Sequence, residues 1–100
     1  MATNTAIILH QDGTVSEVTY TDAQSLNTLQ GAVGGWIESV SGYGFGMDAY
    51  ANEEGLYTPG LALNQHMARV FGVGIMGNVV IPKVTDFKRK KLAKLGILPA

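Results

Sequence analysis

Asp12-Gly13 separates two short β-rich runs, residues 5–9 and 14–20. An Asp-Gly step between such runs is a strong hairpin signal, because both residues accept the positive φ of a tight turn. Val15, Glu17 and Thr19 alternate with Ser16, Val18 and Tyr20, which predicts a half-exposed second strand.

Thr21-Asp22-Ala23-Gln24 has the form of a capping box. Ala23, Leu26, Leu29 and Val33 then follow at helical spacing, and Gly34-Gly35 stops the helix. Residues 36–40 read as a short strand with Trp36, Glu38 and Val40 on one face. "SGYGFG" (41–46) reads as a glycine-dense turn, 47–51 as the returning strand, and "NEEG" (52–55) as its end. Leu56-Tyr57 reads as a short extension before Pro59-Gly60 turns the chain. Asn64 is a candidate cap for a helix over 65–71, with Met67, Val70 and Phe71 on one face, broken by Gly72, Gly74 and Gly77. Residues 78–81 form an apolar β-branched strand that Pro82 ends. Thr85 or Asp86 caps a last helix over 87–95, and Gly96 lets Ile97-Leu98 fold back on it. The order ββαββαβα predicts one α+β domain, a mostly antiparallel sheet with helices on one face. Residues 1–83 are its compact part; 84–100 form a basic helix and tail within it or docked on it.

The 100 residues carry a net charge of −1, and that total conceals a polarity. Residues 1–68 hold seven acids and no Lys or Arg, whereas 69–100 hold seven bases and one acid. Absence of cysteine excludes a disulfide scaffold, a thiolate metal site and a cysteine nucleophile, and fits a reducing compartment. The opening lacks a basic n-region and a long apolar run, so a soluble, unprocessed protein is expected, with no membrane partner.

Gly34-Gly35-Trp36-Ile37-Glu38-Ser39-Val40, Asn52-Glu53-Glu54-Gly55-Leu56, Gly60-Leu61 with Asn64, and Gly77-Asn78-Val79-Val80-Ile81 stand in a distinctive order. Over residues 26–81 the chain resembles a family of small domains of unknown function carried by bacteriophages and other mobile elements. The resemblance implies an accessory protein working in the cytoplasm of a bacterial host, and it implies no catalytic residues. The glycine-rich turn and the basic helix lie outside the pattern it covers.

Glu53 and Glu54 sit inside the Asn-Glu-Glu-Gly turn. Adjacent strand residues face opposite ways, so they read as a displayed acidic tip rather than a catalytic pair. Asn52 can bond its own backbone two residues on, and Gly55 can take positive φ. His10 and His66 are the two histidines, and neither has a ligand at metal-binding spacing. No metal or cofactor is expected, and His66 reads as a surface or boundary residue. "SGYGFG" lacks the Gly-Lys-Ser/Thr ending of a phosphate loop and precedes a strand, so Tyr43 and Phe45 read as contacts on a binding loop. Lys88, Arg89, Lys90, Lys91 and Lys94 crowd the last helix beside Phe87, Leu92 and Leu95. Four consecutive cations reach every side of a helical turn, which argues against deep burial. The cations suit the acidic body of a second copy, a solvated face, or nucleic acid.

The expected function is a non-enzymatic accessory protein that engages or sequesters a host protein, as a homo-oligomer. Tyr43, Phe45, Glu53, Glu54 and the five cations are its contacts. A nucleic-acid-associated protein using residues 88–94 is the alternative, and a small-molecule or nucleotide-sequestering protein the third.

Overall fold

Five strands form a single antiparallel sheet in the computed structural model, which describes residues 3–43 and 46–99. They are β1 (Thr3–Leu9), β2 (Val15–Thr21), β3 (Ile37–Ser39), β4 (Tyr50–Asn52) and β5 (Val79–Ile81), in spatial order β2-β1-β5-β4-β3. Two hairpins thus flank β5, which pairs with β1 through Ile7↔Ile81 and Leu9↔Val79 and with β4 through Tyr50↔Val80. The Asp12-Gly13 turn closes the first hairpin as expected. Asp12 Oδ1 accepts from both the hydroxyl (2.7 Å) and the N–H (2.9 Å) of Thr14.

The helices are α1 (Ser25–Val33), a π-helix (Met67–Phe71) and α2 (Asp86–Lys94). Gln24 Oε1 accepts from Thr21 N at 3.0 Å, one half of the predicted capping box. Thr85, rather than Asp86, caps α2, its hydroxyl accepting from Lys88 N. The element order follows the expected ββαββαβα, with the middle helix wound in π form. The fold is α+β.

The helices do not share one face of the sheet. Leu29 and Val33 of α1 pack with Ala6, Tyr20 and Val80. Met67 of the π-helix and Leu92 of α2 pack on the opposite face with Ile7, Leu9, Ala51, Val79 and Ile81. The reason lies in β5. Val79-Val80-Ile81 is apolar at every position and fully buried, so a central strand of this composition needs cover on both sides.

Ile97 also joins the core, because the chain folds back past Gly96. Ile97 N donates to Leu92 O and Gly96 N to Ala93 O, both at 3.0 Å. This is the paired bonding of a Schellman ending. Two other expectations fail. Leu56-Tyr57 does not extend β4 but continues the turn after it. His66 is buried rather than at the surface, since the start of the middle helix packs against the first hairpin. There Thr14 O accepts from His66 Nε2 at 3.1 Å, and Nδ1 has no hydrogen-bond partner among the described residues.

Candidate functional site

Asn52 organises an exposed turn from a buried position. Its Nδ2 donates to Val33 O (3.1 Å), filling an orphan carbonyl at the end of α1. Its Oδ1 accepts from Glu54 N (2.7 Å), the local bond expected of an asparagine opening a turn. Gly55 N donates to Asn52 O at 3.2 Å and closes the four-residue turn. The two neighbouring glycines are small for lack of space. A Cβ on Gly35 would lie 2.9 Å from Asn52 Nδ2. A Cβ on Gly55 would lie 3.1 Å from Met76 O, and Gly55 does not use the positive φ open to it.

This turn borders a groove of about 210 Å³. The register sets Glu38 opposite Ala51, and Glu53 N donates to Trp36 O at 2.8 Å, one step further along the same strands. Glu38, Ala51 and Glu53 therefore share the sheet face that α2 covers elsewhere. Leu56, Tyr57 and Ile75 contribute apolar walls. Leu56 is 78% exposed, Tyr57 84% and Trp36 66%. Glu53 and Glu54 are both exposed, but Glu53 turns into the groove with Glu38, whereas Glu54 does not line it. Two carboxylates among apolar walls suit a cationic, partly apolar group. Among the described residues no cluster of three His, Cys, Asp or Glu could hold a metal ion, and no helix is long and apolar enough to cross a membrane.

The second feature lies on α2, and it divides the five predicted cations. Lys88 Nζ donates to Pro82 O and Lys83 O, both at 3.1 Å. Arg89 pairs with Glu17 of β2 at 2.5 Å. Lys90, Lys91 and Lys94 remain, and with Phe87 they line a recess of about 250 Å³. These four residues stand at i, i+3, i+4 and i+7, one stripe of the helix. Phe87 is 71% exposed, and the Lys91 ammonium lies 5.7 Å from its ring centroid. Gly46, the end of the glycine-rich turn, abuts Lys91 so closely that a Cβ there would fall on the ammonium. The turn and the basic helix are thus neighbours. Tyr43 belongs to the short helical turn Ser41–Tyr43, while its side chain and Phe45 lie outside the described residues.

The Arg89 guanidinium, hydrogen-bonded to Glu17, holds that carboxyl below the ordinary carboxylate range. The Thr14 hydroxyl and then its N–H do the same for Asp12. A carboxyl depressed in the folded state stabilises the fold above its unfolded value and loses that contribution as pH falls through the lowered one. Glu17→Gln should therefore flatten the acid limb of a plot of Tm against pH. The flattening should come from a lower Tm at neutral pH, where the contribution is fully present, and both changes should be small because the pair stands half in water. Thermal melts by circular dichroism across the acid range measure both; an unchanged acid limb would contradict the assignment.

The family model described as a domain of unknown function (DUF3846) matches residues 4–92. The chain belongs to the DUF3846 family. No curated protein and no solved structure matches it. The DUF3846 match runs well beyond residues 26–81. Its bounds enclose the first hairpin, the glycine-rich turn and α2 as far as Leu92. The motif residues of this DUF3846 chain prove largely architectural: Gly35, Asn52, Gly55 and Asn64 all serve internal contacts. Sequence reasoning missed Leu56 and Tyr57 as exposed groups and Glu38 as a groove residue. Glu38 shares a strand face with buried Val40, and nothing in a single sequence says where cover on that face ends.

Proposed function

We propose that this DUF3846 protein acts by binding, as a phage-type accessory protein that engages a host protein in the bacterial cytoplasm and associates with copies of itself. The observation that carries this reading is the groove beside the Asn52 turn. Leu56 and Tyr57 stand almost fully in water next to the carboxylates of Glu38 and Glu53. Large apolar groups on a well-anchored turn are the usual anchors of a protein contact, and nearby charges set partner choice. The resemblance to small domains of mobile elements supports the cellular setting.

The test is retention of host proteins from bacterial lysate by the tagged chain and by a Leu56→Ala/Tyr57→Ala variant. Both side chains are exposed, so the variant should keep the wild-type Tm and circular dichroism. The expected result is a stoichiometric partner held by the wild type and lost, by about tenfold or more, from the variant. Equal retention by both would remove the groove from the contact.

A further inference from the structure

The groove and the α2 stripe are opposite in charge and alike in exposing apolar groups. Their placement on the fold is the informative part. Leu92 anchors α2 to the sheet face that carries Ala51, and Ala51 itself lines the groove, so both features belong to one face. Along β4 they lie at opposite ends. Lys91 abuts Gly46, ahead of that strand, whereas the groove is walled by the turn that follows it. The face is therefore stepped, with a helix standing at one end and, at the other, a groove walled by Leu56, Tyr57 and Ile75.

We propose that two copies dock about a two-fold axis, each setting its Phe87-Lys90-Lys91-Lys94 stripe into the groove of the other. This inference rests on the reading that the protein self-associates; in that assembly the partner's stripe fills the groove, so a host protein reaches Leu56 and Tyr57 only by displacing it. A two-fold axis across a stepped face brings each raised end onto the partner's lowered end, so every contact is made twice and the assembly closes. Among the described residues, Lys90 and Lys94 have no anionic partner within the chain, while Lys88 and Arg89 are already engaged. Glu38 and Glu53 supply that complement across the axis, with Glu54 at the rim. Phe87, exposed beside Lys91, meets Leu56 and Tyr57, exposed beside Glu53. Nucleic acid is a poorer occupant of the stripe: it offers only three free lysines, with Asp86 adjoining Phe87 and a net charge of −1 overall.

Exchanging the charges tests the arrangement. Lys90→Glu/Lys94→Glu makes both features of a copy acidic, and Glu38→Lys/Glu53→Lys makes both basic. All four side chains are exposed, and a circular dichroism melt on each variant checks that it folds. Light scattering at low salt should show the wild type as a dimer and each variant alone as a monomer, with the dissociation constant raised about 100-fold or more. An equimolar mixture of the two variants should recover a heterodimer, because opposite charges then meet at both contacts. If the wild type is a dimer and the variants remain dimers alone, self-association holds but this interface is wrong. If the wild type is monomeric at every concentration, the interface and self-association fall together. A monomer that binds a short single-stranded oligonucleotide, and loses it with Lys90→Glu/Lys94→Glu, would overturn the proposal in favour of a nucleic-acid site.

Discussion

Asn64→Ala should destabilise the fold by about 3 kcal/mol or more, a large share of the roughly 5–15 kcal/mol available to a domain of this size. Asn64 is fully buried, and its side chain bridges three separate segments. Nδ2 donates to Leu9 O at the end of β1 and to Gly77 O ahead of β5, both at 2.9 Å. Oδ1 accepts from Met67 N at 3.1 Å, at the start of the middle helix. Alanine removes all three bonds without giving water access to the groups left behind, and each unsatisfied buried group costs about 1–3 kcal/mol. Asn64→Asp is the sharper companion. It keeps an acceptor for Met67 N but turns an oxygen towards two carbonyls, so it should be at least as destabilising as alanine. Urea unfolding of the three proteins checks the ordering; a loss under about 1 kcal/mol for either variant would show that the site relaxes.

Leu92→Ala should cost about 2–5 kcal/mol, the range for truncating a buried leucine. The result decides what α2 is. A solvated basic appendage would tolerate the change within about 0.5 kcal/mol, as exposed positions usually do. The structure instead places Leu92 at zero exposure in one cluster with Ile7, Ile81 and Ile97. Hydrogen exchange gives a second readout. Amides of α2 should exchange in the wild type only as β1 and β5 do, and become separable from them in the variant. Protection of α2 unrelated to that of the sheet would detach the helix from the core.

The run Lys88-Arg89-Lys90-Lys91 shows where reading a sequence stops short. Four cations in a row do circle a helix, and that argued against burial. Leu92 is buried all the same, because Lys88 and Arg89 lie along the flanks of the packed face and bond to Pro82 O, Lys83 O and Glu17. Local rules served well where the cause was local: the Asp12-Gly13 turn, the Thr85 cap, the Asn52 turn and the Gly96 ending all follow from neighbours in sequence. What stayed hidden depends on which strand lies beside which. Val79-Val80-Ile81 was recognisable as a strand, but only its insertion between β1 and β4 puts helices on both faces. Gly35 and Gly55 were recognisable as turn formers, whereas their tight contacts with Asn52 and Met76 come from packing. The candidate site divided in the same way. The charges of Glu53 and the lysines were visible in the sequence, while the groove that gives Glu53 a neighbour in Glu38 is a product of strand order.

The double attachment of Asn52 bears on how tightly the groove can bind. A loop that must be ordered by its ligand subtracts the entropy of that ordering from the affinity, whereas a surface already fixed does not. Here the turn displaying Glu53 and Glu54 is tied at its root to the end of α1 through Val33 O, and internally through Glu54 N. A ligand meeting these carboxylates therefore finds them in place. Recognition should respond to the shape and charge of the ligand more than to any folding it induces, with a heat-capacity change on binding no larger than the covered apolar surface accounts for.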